Sequence, residues 1–559
     1  MRKLTAWLLL MVMVFSTSAS SVALGEKSAD AGKLPLTTEP IKLTIGLIPD
    51  DGVLDYDTNL YTAYLEEKTG VDIEFFYFPT TEFAQKLELM VAAQEELPDI
   101  ILNMDLEDTA KFSYGQQGVF LPLNEYFEQY GYYWQETYEK YCTEEEKNII
   151  SSLSVSPDGN VYGFPFYEVD PTDTQVETIY INKSWCDNLG LAVPTTTDEL
   201  YEVLCAFRDN DPNGNGLKDE IPLLGYNSVD TRGDLIFILA NSFLYYNWSE
   251  YGRFVLEDGK LAASYTSEAF REALRYIHKL YEENLIAPYS FTQDAAQLRA
   301  MVDLPDDAET IVGAVAHHPW SGSEGFTWTK ENYSKLKDYV AIGPLAGPEG
   351  IAYSPYQLAG LAFNSYITKD CENPEVAFRL LDFMSSEEAS LTSRRGVQGV
   401  DWDYVAEGST RPSRYADLGF EPIYDVMHDV WAEPEQNSVY AVIVHFMPSR
   451  LFAGVTLEDF PNELAEKRFH LYMDGFNRRY GQYPAEIVTK LVYTAEELEE
   501  IGELSTVITE YANQARVLFV TGDMDIDRDW DTYLKTLNDM GLEYWLEVAQ
   551  TAYDRMNAK

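Results

Sequence analysis

The stretch IYINKSWCDNLGLAVPTTTDELYEVLCAFRDNDPNGNGLKDEIPL, Ile179–Leu223, decides how the chain folds. Its opening reads as a buried strand, KSWCDNLG as a short helix stopped at Gly190, and TTTDELYEVLCAFR as a longer amphipathic helix. Thr196 or Thr197 supplies the N-cap, and Asp198 and Glu199 fall where the positive end of the helix favours acids. The remainder, DNDPNGNGLKDEIPL, sets four carboxylates and three asparagines in a glycine-rich turn. A hard cation such as calcium takes about six to eight oxygens from a loop with ligands on alternate residues and a glycine at the sharp bend. Counted from Asp211, the loop offers Asp211, Asn213 and Asn215 at positions 1, 3 and 5, the Leu217 carbonyl at 7, and Asp219 and Glu220 at 9 and 10. Counting from Asp209 also fits, but the Asp211 register leaves only Asp209 idle. Carboxylates crowded without a cation repel one another, which favours a structural calcium over a solvated polar turn.

The same grammar extends outward. IKLTIGLI (41–48), VDIEFFYF (71–78) and LPDIILN (97–103) read as strands. LYTAYLEEKTG reads as a helix closed by Gly70, and FAQKLELMVAAQEE as another. Farther on, SEAFREALRYIHKLYEENL and NPEVAFRLLDFMSSEEA are helical, and the tail WDTYLKTLNDMGLEYWLEVAQTAYDRM is two helices hinged at Gly541. Strand and helix in alternation predict an α/β fold, with mostly parallel sheets covered on both faces.

With 559 residues, 46% of them hydrophobic, the chain exceeds one ordinary domain, so two lobes are expected. Its 93 acidic residues against 40 basic ones give a net charge of -53, a field that repels phosphate backbones and excludes nucleic acid as a partner. Residues 1–23 have the form of a secretory signal: Arg2 and Lys3, the apolar run LTAWLLLMVMVF, then small residues ending at Ala23. A flexible leader is expected over 24–40. Cys142, Cys186, Cys205 and Cys371 lack metal or redox spacing and are read as free thiols, although Cys186 and Cys205 are near enough in sequence to pair. No nucleophile elbow, HExxH or phosphate loop is present, and this speaks against an enzyme. A glycosidase using two carboxylates is the competing class.

The opening stretch resembles the bacterial extracellular solute-binding proteins of the carbohydrate type, in their Gram-positive lipoprotein subgroup. GVFLPLNEY, NVYGFPF, VGAVAHHPWSG, NPEVAFRLLDFMSSEEA, GVQGVDWDY and MGLEYWLEVAQTAYDRM agree in order, so the resemblance spans residues 40–559. It implies a two-lobed fold of the periplasmic-binding-protein type (type II), with the ligand in the cleft between lobes and calcium in the Asp211 loop (209–222). Lobe 1 is expected over 41–165 and about 357–420, and lobe 2 over about 166–356 and 421–559. The implied function is capture of an oligosaccharide for the permease subunits of an ABC importer, by a monomer outside the cell; a peptide-binding or sensory role keeps the same fold. The subgroup's lipobox cysteine is missing, since no cysteine precedes Cys142. Release, an uncleaved signal and retention by the transporter are the open alternatives to a lipid anchor.

Sugar sites pair aromatic platforms with a few carboxylates and amides. The chain's 10 Trp, 40 Tyr and 27 Phe are too many for abundance to choose among them, so position must. The resemblance brings Trp320, after the strand TIVGAVA, and Trp402, in GVQGVDWDY, to the cleft. Asn103 and Asp105 follow a buried strand at its carboxyl end, where open parallel sheets place ligands. Tyr167 and Tyr356 lie near the expected crossings between lobes. A polyanionic sugar needs a basic pocket, for which Arg394, Arg395 and Arg411 are the candidates; neutral sugars are favoured.

Overall fold

The computed structural model describes residues 28–557, except 40, 51, 80–81, 107, 172–177, 228–232, 248–253, 258, 303, 305–307, 318–337, 356–360, 433–434, 458–462 and 489–490. Its strands are β1 (Ile41–Leu47), β2 (Val71–Tyr77), β3 (Ile100–Ile101), β4 (Phe164–Glu168), β5 (Thr178–Asn182), β6 (Ile221–Leu224), β7 (Phe254–Glu257), β8 (Lys260–Ala263), β9 (Val312–His317), β10 (Tyr339–Ala341), β11 (Leu361–Ile367), β12 (Trp402–Tyr404), β13 (Tyr424–Val426) and β14 (Phe446–Met447). They form a six-stranded sheet in the order β14-β4-β11-β3-β1-β2 and a four-stranded sheet in the order β10-β5-β9-β6, with two-stranded ribbons β7-β8 and β12-β13.

In the six-stranded sheet only β11 runs against the others. At Gly46, inside β1, an added Cβ would stand 2.7 Å from Phe78 and 2.9 Å from Pro98, so the close approach of neighbouring segments dictates glycine. The four-stranded sheet is mixed rather than mostly parallel, because β5 is antiparallel to both β9 and β10.

Local signals set the helices. Helix Leu60–Thr69 starts at Asn59, whose side chain accepts from the Tyr61 N–H, and ends at Gly70 with φ 73°. Helix Thr197–Asp209 is capped by Thr196, which resolves the two threonine alternatives. NPEVAFRLLDFMSSEEA is two helices, Pro374–Met384 and Glu387–Arg395, because Ser386 caps the second through the Ala389 N–H and the first has already ended. The longest helix, Ala495–Thr521, opens with a Thr494–Glu497 capping box.

Helices at the C-terminus complete the core over the four-stranded sheet: Ile508, Phe519, Tyr533 and Trp545 share one buried cluster with Leu204, Phe270 and Leu274. Phe446–Met447, expected in lobe 2, pairs with β4 in the first sheet instead. Helix Glu463–Arg479 lies between the two bodies. Leu471 packs with Tyr180 and Val315 of the second sheet, whereas Met473 and Phe476 join a cluster around Trp402, Tyr415 and Met447.

The leader is not a free tether from residue 28 onward. The buried Arg379 guanidinium donates to the carbonyls of Leu36 (3.2 Å), Asp30 (3.0 Å) and Lys33 (3.3 Å), and Leu36 itself is buried. The guanidinium also reaches Glu375 at 3.4 Å on its own helix, so the leader carbonyls complete the shell of a cation already paired on one side, and in return the cation fixes the segment. Replacing Arg379 with methionine is expected to speed tryptic cleavage after Lys33 severalfold while the remaining fragments stay protected; an unchanged rate would show that other contacts hold the leader.

All four cysteines are free, Cys186 and Cys205 among them. Among the described residues no helix is long and apolar enough to cross a membrane.

Candidate functional site

Strand directions place the site. Because β1, β2, β3, β4 and β14 run the same way, their carboxyl ends, at Leu47, Tyr77, Ile101, Glu168 and Met447, share one edge with the amino end of β11. In the second sheet β6, β9 and β10 end where β5 begins. The chain passes from Glu168 at the first edge to Thr178 at the second, and returns from Ala341 to Leu361. Both crossings therefore join the carboxyl edges of the two sheets, which is where open α/β sheets receive ligands. A cavity of about 1300 Å³ beside Ile41, Asn124 and Asn373 adjoins the amino end of β1, the wrong edge for such a site.

The expected residues distribute unevenly. Asn103 stands just past β3 with φ 50°; its N–H donates to Ser365 Oγ at 3.0 Å and its amide oxygen accepts from Asn364 at 2.9 Å. Asp105 is exposed close by. Trp402 is fully buried: its indole N–H donates to the Gly396 carbonyl at 2.9 Å, and its ring packs edge-on against Tyr404 and Tyr424. A platform needs an open face, and Trp402 has none in this structure. Tyr167 is likewise buried, in β4, with its ring 5.8 Å from that of Phe446. Trp320 and Tyr356 lie outside the described residues.

The end of β4 carries a compact charged group. Glu168 Oε2 accepts from Arg394 Nε at 2.8 Å and lies 2.8 Å from His445 Nε2. Burial opposes ionisation of Glu168, but the Arg394 charge and the His445 hydrogen bond outweigh it and hold the carboxyl at about 2, against an ordinary 4.5. Burial also depresses His445 below its usual range, against the pull of Glu168. A carboxylate can only accept, so the ring donates from Nε2 to Glu168. A folded-state value below the unfolded one means that Glu168 contributes stability, on the order of 3 kcal/mol, fully present above the unfolded value and lost as pH falls toward the folded one. The stability difference between the wild type and Glu168→Gln in urea unfolding is expected to narrow as pH drops below 4.5; a difference independent of pH would refute this assignment.

None of the three candidate arginines forms an open basic pocket. Arg394 is bound to Glu168, Arg395 donates to Tyr424 Oη at 3.0 Å, and Arg411 donates to Asp425 at 3.1 Å.

Two exposed aromatics near the first edge escaped the sequence reading. Tyr77 ends β2 and is 46% exposed, and Trp431, at 41%, is the exposed tryptophan among the described residues. Trp431 sits in the turn Val430–Ala432, in DVWAEPEQNS. An aromatic between an acid and a proline-containing turn, outside any helical or strand period, was the available signal.

The Asp211 loop is already curled. Asp211 accepts backbone N–H bonds from Gly214 (2.8 Å), Asn215 (3.0 Å) and Gly216 (2.9 Å), and Asn215 Oδ1 accepts from Leu217 N–H at 2.7 Å. Both carboxylate oxygens of Glu220 are buried and have no hydrogen-bond partner among the described residues. Burial, reinforced by Asp219 and Asp211, pushes the Glu220 carboxyl up. Among the described residues no three His, Cys, Asp or Glu side chains converge as a metal-binding group; the donor set expected from the sequence includes two amides and a main-chain carbonyl besides its carboxylates.

The sequence pattern of a family described as bacterial extracellular solute-binding protein matches residues 54–390, more than half of the chain. The chain is 26% identical over 520 residues to the fructooligosaccharide ABC transporter substrate-binding protein FusA of Streptococcus pneumoniae, covering 90% of this chain and 88% of the relative. Among solved structures, an extracellular solute-binding protein from Bifidobacterium longum subsp. infantis superposes with a TM-score of 0.73 at 20% identity, covering 95% of this chain and 99% of that one. The alginate-binding protein AlgQ2, solved without calcium ion, gives a TM-score of 0.61 at 21% identity, over 94% of this chain and all of that one (100%). At that identity the two structures speak for the fold.

Proposed function

The chain belongs to the family of bacterial extracellular solute-binding proteins, and on that premise we propose that it captures an oligosaccharide between its two sheets and passes it unchanged to an ABC importer. The observation that carries this reading is the pair of crossings that join the carboxyl edges of both sheets, so that one ligand can touch both bodies. FusA, a fructooligosaccharide-binding relative solved with kestose, supports the ligand class. Binding acts by population shift: an open form exchanges with a closed one, and the ligand favours the closed form because only there does it touch both edges. No covalent step is required. The protein acts as a monomer that docks on permease subunits at the outer face of the membrane.

Calcium in the Asp211 loop is part of the proposal. Asp211, Asn213, Asn215, the Leu217 carbonyl, Asp219 and Glu220 would hold the ion, whose charge would supply what the buried Glu220 carboxylate lacks. One solved FusA structure is of an EF-hand mutant, and this supports a loop of that kind. The ion would staple the loop against the second body and take no part in binding.

The test is incubation with neutral fructo-, manno- and gluco-oligosaccharides, followed by thermal unfolding and by chromatography of the recovered sugar. A raised midpoint with intact sugar is the expected result. Cleaved sugar would replace this reading with a glycosidase.

A further inference from the structure

We infer that the exposed face of Trp431 is a stacking subsite for an uncharged sugar ring, an inference that rests on the oligosaccharide reading. The indole is held on two sides. Its N–H donates to the Arg394 carbonyl at 2.8 Å, and the Arg394 guanidinium lies over the ring, 4.8 Å from its centroid. Arg394 is itself fixed by Glu168 at the end of β4, which leads into the first crossing. Gln436 bonds to the Gly52 and Leu54 backbone in the loop that follows β1, so Trp431, beside the end of β4, and Gln436, beside the end of β1, both stand at the carboxyl edge of the first sheet. With one face under a guanidinium and the N–H edge engaged, the exposure of Trp431 falls on the opposite face.

This arrangement differs from an aromatic left on the surface by chance. A tryptophan locked in place before binding presents a large apolar face without the entropy cost of ordering it. The apolar C–H face of a pyranose or furanose ring suits such a platform. The surrounding charges select against acidic sugars: the Arg394 cation behind the ring is neutralised by Glu168, Arg395 is engaged by Tyr424, and Asp429 precedes Trp431 by two positions. A uronate bound here would meet no free cation among these groups, and a net charge of -53 repels it from a distance.

The test titrates the wild type, Trp431→Ala and Trp431→Phe with neutral trisaccharides (fructan, mannan and glucan) and with tri-galacturonate, following tryptophan emission and calorimetric heat, with the thermal midpoint as a folding control. The wild type is expected to bind a neutral trisaccharide, Trp431→Ala to bind it on the order of tenfold or more weakly with an unchanged midpoint, and Trp431→Phe to recover part of the loss. A wild type that binds a neutral sugar as tightly as Trp431→Ala does overturns the subsite and leaves the oligosaccharide reading standing. Preference for tri-galacturonate overturns the neutral specificity. Binding of no sugar overturns both readings.

Discussion

Asp234→Ala is expected to destabilise the second body by about 3–5 kcal/mol, the cost of stranding a buried charge. Asp234 does two jobs. One carboxylate oxygen caps helix Leu235–Ala240 through the N–H groups of Ile236 (2.9 Å) and Phe237 (3.1 Å), and the other pairs with Arg516 at 2.6 Å. Arg516 is buried in the long helix Ala495–Thr521, and its Nε and Nη1 have no other partner among the described residues. Removing the aspartate thus takes away a helix cap and leaves a cation in a low-dielectric core. The neutral Asp234→Asn keeps an acceptor for the cap and should lose less. The double substitution Asp234→Leu with Arg516→Met should recover most of the loss, because both charges go together. Urea unfolding followed by tryptophan fluorescence measures all four proteins. A single-site loss below about 1 kcal/mol would mean that water reaches the pair and screens it.

Stripping calcium is expected to lower the thermal midpoint by several degrees. Calcium at about a hundredfold excess over its dissociation constant adds about 2.7 kcal/mol to the folded state. In a body of this size each kcal/mol moves the midpoint by about 2–4 °C. Asp211→Ala, which removes the first donor and the acceptor of three backbone N–H bonds, should abolish the response to calcium. Glu220→Gln should weaken it, since Gln offers one acceptor where the carboxylate offers two. Magnesium, which requires stricter octahedral geometry, should substitute poorly. A midpoint that ignores both chelator and calcium would assign the loop to an ordinary polar turn.

Sequence carried most of the architecture where a local rule decided it. Gly70 and Gly190 close their helices in the left-handed region, Thr196 caps the next helix, and Gly541 with φ 105° hinges the last two. These residues act through their own backbone or side chain, so no tertiary information is needed. Assignments that depend on distant partners were not legible. Two residues, Phe446 and Met447, are too short a strand to announce which sheet they join. The polar leader reads as flexible until Arg379, some 340 positions later, is found inside it. Trp402 and Trp431 each have an acid nearby and a glycine or proline within a few residues. One is sealed beneath Tyr404 and Tyr424 and the other stands in the open, a difference set by segments far away in sequence.

Isothermal titration calorimetry of the calcium-loaded chain, begun at Leu24, against neutral oligosaccharides of two to six units decides whether the two carboxyl edges hold a sugar. Saturable one-to-one binding of at least one series is expected, with a negative heat-capacity change from apolar burial, and recovery of the sugar at its original length. Absence of binding across the neutral series, or recovery of shortened products, would contradict capture of an unchanged oligosaccharide.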